Sequence, residues 1–261
     1  PQHPKTTGFA QQKPWIFVSS LEALTQNHPA FDEKATTETW LSIFIHEFFH
    51  TRQLLHPNAR QAWGRMLAGE IKPERLDALY LEHSDYRAAV DAEYAYLVKA
   101  VAQNPNAYQA QVALQHWLKQ RQQRIERFGP VYVNSLPSDQ RDTASLETVD
   151  TTYLYIEGVA RYVENIFTVN PALQPPVEQL AQDQRFSGFS QSVGQGYSGM
   201  WSRTIPQGGK YYYALGLHVG LLLDRVTPAW TQTVHENPRW LLDSVKAALE
   251  VPITDNETTV Q

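Results

Sequence analysis

The chain of 261 residues contains no cysteine. That removes disulfides, thiolate-bound metals, cysteine-type zinc fingers and a cysteine nucleophile in one stroke. Any metal must be held by His, Asp or Glu. Basic charge is also in short supply, with 22 Lys and Arg against 27 Asp and Glu, a net charge of −5. Binding to nucleic acid through a broadly basic surface is not expected, because phosphate is contacted mainly by Lys and Arg. No long apolar run occurs either. The longest, Leu215 to Leu223, is interrupted by His218 and closed by Asp224. A membrane-spanning helix needs about 20 apolar residues, so we expect no membrane span.

Aromatic residues, by contrast, are plentiful: 7 Trp, 13 Tyr and 10 Phe. With 42% hydrophobic residues they describe a chain that builds a core rather than a disordered one. Residues 1–14 are polar and Pro-containing and read as an extended arm. Trp15 to Val18 has strand propensity. From about Asp32 the apolar spacing is helical. Trp40, Ile43, Phe44 and Phe48 recur at helical intervals, and Pro57 closes that helix. Further helices are expected from Pro73, around Tyr86 to Val101, and over 107–127 with a stop at Phe128-Gly129-Pro130. Leu146 to Phe167, Tyr211 to Val226 and Pro238 to Leu249 follow. Residues 130–144 and 184–210 read as loops, the second rich in Gly and aromatics. Lys119, Arg121, Arg124 and Arg127 read as a solvated helix face. No repeat or linker divides the chain, so we expect one mainly α domain spanning 1–261, with at most a small N-terminal β element.

Chemistry enters with His46-Glu47-Phe48-Phe49-His50, an H-E-x-x-H inside an apolar helix. Residues four apart on a helix lie on one face, about 5–6 Å apart at Cβ. Two imidazoles so placed can share one Zn²⁺, and the intervening Glu reaches a water on that metal and takes its proton. A catalytic zinc needs a third protein ligand. Glu70, Glu74, Glu82, His83, Asp91 and Glu93 are nearest in sequence, and none stands in a distinguishing pattern.

A second segment is Tyr155-Ile156-Glu157-Gly158-Val159-Ala160-Arg161-Tyr162-Val163-Glu164. It resembles the E-G-x-A-x-Y-x-E stretch of the aminopeptidase N family, zinc peptidases of the gluzincin type. The resemblance implies a zincin-like helical domain, with His46, His50 and Glu157 holding Zn²⁺ and Glu47 as general base. Glu93 and Glu164 are the next candidates for third ligand, and Glu164 also falls on the face where it could back a ligand histidine. Gluzincins commonly present a downstream Tyr or His to the oxyanion, which here points to Tyr213, then His218. Gly216 and Gly220, one turn apart, would let that helix pack closely on a neighbour. Three features depart from the family. Glu157 follows His50 by 107 residues (157 − 50), so 73–127 would be a helical insertion between the motif helices. Arg52 stands where an uncharged residue is usual, and the G-x-M-x-N segment that reads a substrate N-terminus is absent.

The expectation is therefore a zinc metallopeptidase, a hydrolase acting on a peptide or protein substrate. The other reading is a helical interaction protein with a structural or vestigial metal site. The chain opens on Pro1 without an apolar leader, and we expect a periplasmic or secreted protein from which a leader was removed, with a cytoplasmic setting still open.

Overall fold

The computed structural model describes residues 37–141, 145–169, 182, 211–236 and 240–252. The extended arm, the strand expected at Trp15 to Val18 and the Gly-rich loop at 184–210 lie outside them. Among the described residues every regular element is helical: α1 (Thr37–Gln53), α2 (Pro57–Leu67), α3 (Pro73–Glu82), α4 (Ser84–Ala102) and α5 (Ala107–Asn134) come first. A short 3₁₀ turn (Ser138–Gln140) leads to α6 (Leu146–Tyr153), a widened π turn (Leu154–Gly158) and α7 (Val159–Val169). Then come α8 (Tyr211–Val226), the single turn α9 (Trp230–Thr233) and α10 (Leu241–Glu250). None is long and apolar enough to cross a membrane.

Local chemistry explains several boundaries. Pro57 and Pro73 occupy the first helical position of α2 and α3, where a missing N–H costs nothing. Pro57 thus does more than end α1; it opens a helix not foreseen in the sequence. Asn106 and Gln109 form a reciprocal capping box at the start of α5. The Ser145 hydroxyl accepts from the Thr148 N–H at 3.0 Å to begin α6.

Two expectations are corrected. The helix expected to stop at Phe128-Gly129-Pro130 runs on to Asn134, with Pro130 inside it. An interior Pro costs about 3 kcal/mol or more, but Phe128 and Tyr132 bury their rings in the core at helical spacing, and that packing outweighs the broken ladder. The second correction concerns the basic stretch of α5. Arg121 and Arg124 do not face solvent but are buried. Arg124 donates to Glu93 (2.6 and 3.2 Å), Asp150 (2.9 Å) and the Tyr86 hydroxyl (3.1 Å). Arg121 donates to Asp150 at 2.7 Å and to Thr151 at 3.0 Å. Buried charge is tolerated only when paired and hydrogen-bonded in this way.

Helix α8 runs through the middle. It packs on α4, α5, α7, α10 and the π turn, and ten of its side chains or glycines are buried. A helix apolar on nearly every side needs such a position. The hydroxyl of Tyr86 pairs with that of Tyr211 at 2.6 Å, and Tyr211 with Tyr212 at 2.5 Å, so the first turn of α8 is tied to the Arg124 cluster. The closest approach is between glycines: a Cβ added to Gly216 would lie 2.3 Å from the Gly158 Cα. Only two residues without side chains let α8 and the π turn meet this closely. Helix α1 lies against α7.

Candidate metal centre

Helix α1 carries His46 and His50 on one face, and both are buried beneath α7. Their rings stand perpendicular, 4.8 Å apart between centroids. Glu157 comes to the same point from the π turn. Its Oε2 lies 3.2 Å from His46 Nε2 and 3.7 Å from His50 Nε2. Residues more than a hundred positions apart in sequence thus direct three ligand-type atoms at one small volume. A tetrahedral ion with bonds of about 2.0–2.1 Å sets its ligand atoms about 3.3 Å apart. The two separations from Glu157 Oε2 fall on either side of that figure, so in spacing and in chemistry these donors are of a kind that Zn²⁺ takes.

Each imidazole is also held from behind. His46 Nδ1 lies 3.5 Å from Glu164 Oε2, and Arg161 pairs with the other oxygen of that carboxylate. His50 Nδ1 is hydrogen-bonded to Gln53 Oε1 at 2.8 Å. Backing of this kind orients metal-ligating histidines generally. The Trp63 ring stands edge-on against His50, with centroids 5.1 Å apart.

Electrostatics follow from this packing. Burial disfavours a charged His46, but the hydrogen bonds and charges of Glu157 and Glu164 outweigh it and raise its pKa to about 9. Burial likewise opposes ionisation of Glu157, yet hydrogen bonds from His46 and His50 hold it well below the usual carboxylate range. Glu164 is lowered too, against its own burial, chiefly by the Arg161 charge. Without metal this packing favours a charged His46 imidazole between the Glu157 and Glu164 carboxylates. A cation entering there displaces that proton.

Glu47 projects beside the histidines but, unlike them, is exposed. Ligand-type atoms of His46, Glu47 and His50 all lie within 4.8 Å of one another, so Glu47 could approach a shared ion. Glu157 Oε2 lies 3.2 and 3.7 Å from the two nitrogens and is largely enclosed, while Glu47 keeps its access to solvent. Tyr213, from the first turn of α8, stacks on His46 with centroids 5.4 Å apart and hydrogen-bonds to Glu157. Burial, followed by the Glu157 charge, pushes its phenol far up, so it is a proton donor at neutral pH. His218 does not share the site. Its Nδ1–H donates to the Ala214 carbonyl at 2.7 Å and its ring meets Tyr94. Glu93 is likewise committed to Arg124 in the core.

Gln53 was not among the residues singled out from the sequence. It lies three positions after His50 and seven after His46, on the same helical face, and that periodicity was the available signal. Comparison with family models, with curated proteins and with solved structures finds no match to this chain.

Proposed function

We propose that the protein is a zinc-dependent hydrolase, and most specifically a peptidase of the gluzincin type. The observation that carries this reading is the convergence of His46 Nε2 and His50 Nε2 on Glu157 Oε2, with Glu47 exposed beside them. Zinc bound by these three residues would supply a Lewis acid that brings the pKa of a coordinated water towards about 7.

The roles of the chain's own groups follow from their positions. The Glu47 carboxylate, open to solvent next to the ligand pair, takes the proton of the attacking water and returns it to the departing amine. Tyr213, kept protonated by burial and by Glu157, is placed to donate a hydrogen bond to the negative oxygen that forms on the attacked carbonyl. Glu164 and Gln53 keep the two imidazoles aimed. The peptidase assignment within the broader hydrolase class rests on the resemblance of both motif segments to aminopeptidase N.

The test is hydrolysis of a mixed pool of fluorogenic peptides by the purified full chain. Cleavage should stop on treatment with 1,10-phenanthroline and return with stoichiometric zinc. Cleavage that persists in protein shown to be metal-free would overturn the proposal.

A further inference from the structure

A cavity of about 320 Å³ lies between α2 and α6, and none of the proposed metal ligands lines it. Its size is at the small end of the usual range for ligand sites, about 300–1,000 Å³. The α2 wall presents Asn58, Gln61 and Arg65, which recur at intervals of three and four and so share one face of the helix. Among the described residues neither side-chain amide is hydrogen-bonded. Arg65 donates from Nε to Glu70 at 3.0 Å, in an exposed pair, and keeps its two terminal nitrogens. The α6 wall contributes Glu147.

Trp240 closes a third side. Its ring is buried and stacks on Tyr155, with centroids 4.5 Å apart, yet its Nε1–H has no acceptor among the described residues. Its backbone φ of +45° is strained for a residue with a side chain, and strain of this kind gathers at ligand clamps.

We propose that this cavity is a binding site for a free L-amino acid or a short peptide in its zwitterionic form. The inference goes beyond the hydrolase reading and does not rest on it.

Charge decides the ligand class. Arg65 pairs with Glu70 rather than with Glu147, so the two walls carry a fixed cation and a fixed anion that do not neutralise each other. A simple anion would meet Glu70 and Glu147 as well as Arg65, and a simple cation would meet the Arg65 charge. A zwitterion satisfies both walls. Its carboxylate takes the terminal nitrogens of Arg65, whose fork matches two carboxylate oxygens, and its ammonium faces Glu147. The exposed Glu70 pair is a weak competitor for the guanidinium. Asn58 and Gln61 each offer a donor and an acceptor, the complement of a peptide group. The Trp240 ring supplies an apolar wall for a side chain. A neutral sugar would use the amides but not the separated charges.

The test is ligand-observed NMR on the metal-free full chain with the common L-amino acids and glycylglycine, followed by calorimetric titration. Acetate, ethylamine and glucose are the comparison probes. At least one zwitterion should bind saturably with a Kd in the millimolar range or tighter, and no comparison probe should saturate. Arg65→Gln and Glu147→Gln should each weaken binding by at least about tenfold, the usual weight of a hydrogen bond to a charged group. Arg65→Gln removes only an exposed ion pair, so the fold is retained. His46→Ala should leave the affinity unchanged. Absence of binding, a preference for glucose, or affinity unaltered in both wall variants would overturn the inference. So would binding that is lost in His46→Ala, which would move the ligand to the histidine pair. A chain that takes up no zinc yet binds an amino acid through Arg65 and Glu147 refutes the hydrolase reading and leaves this one standing.

Discussion

Gly216→Ala is expected to weaken the proposed metal centre although residue 216 is not one of the proposed ligands. The new methyl would stand 2.3 Å from the Gly158 Cα, 2.8 Å from the Gly158 carbonyl carbon and 3.1 Å from the Leu154 carbonyl oxygen. All three are backbone atoms, so no side chain can swing aside. The helices must separate, and what separates is the π turn holding Glu157 from the helix holding Tyr213. Overpacking of a buried contact usually costs about 1–3 kcal/mol, and a backbone clash belongs at or above the upper end. For a chain of this size about 3 kcal/mol lowers Tm by roughly 6–12 °C. Zinc affinity should fall with it, because the clash falls on the backbone of the π turn that carries Glu157. Gly64→Ala is the control: that glycine lies inside α2 with nothing within 4 Å of its Cβ position. Alanine there should be neutral or stabilising by up to about 1 kcal/mol. Thermal unfolding and zinc competition on the two variants decide the point, and a Gly216→Ala protein with wild-type values in both would show that the close approach does not set the site.

Glu47→Gln should leave zinc stoichiometry unchanged while reducing turnover by at least about 10²-fold, the usual contribution of a general base. The amide keeps the shape and polarity of the carboxylate and loses only its ability to take a proton. Glu47 neighbours His46 in sequence but points about a quarter-turn away, into solvent, while His46 faces Glu157. In the proposed mechanism this difference within one helix would separate metal binding from proton transfer. Metal analysis and peptide turnover on the same preparation provide the readout. Retained turnover would remove Glu47 from the mechanism. Loss of zinc together with turnover would make Glu47 a ligand, a role its proximity to both histidines would permit.

The legible parts of this protein were those written in local spacing. Helical periodicity and proline placement located most helices, and the four-residue interval of His46 and His50 placed both on one face. Glu157 came not from spacing but from the resemblance of 157–164 to the E-G-x-A-x-Y-x-E stretch, and the fold does bring that carboxylate to His46 and His50. Gly216 was legible as a residue for close packing, though its partner, Gly158, needed the three-dimensional arrangement. The missed features all depend on contacts distant in sequence. Arg121 and Arg124 looked like solvated charges because their partners, Glu93 and Asp150, come from other helices. Pro130 looked like a stop because local rules cannot weigh the burial of Phe128 and Tyr132. The π turn has no composition signature, and the Gln53 amide finds the Tyr155 and Ile156 carbonyls only once that turn is folded against α1.

The most direct test of the central claim is metal content of the purified full chain, measured beside His46→Ala and Glu157→Ala after equilibration with limiting zinc and removal of loosely bound ions. The account predicts one zinc per chain in the wild type and a loss in both variants, with each retaining its helical signal. Zinc retained in Glu157→Ala would contradict the ligand set, and a wild type that takes up no zinc would contradict the metal centre itself.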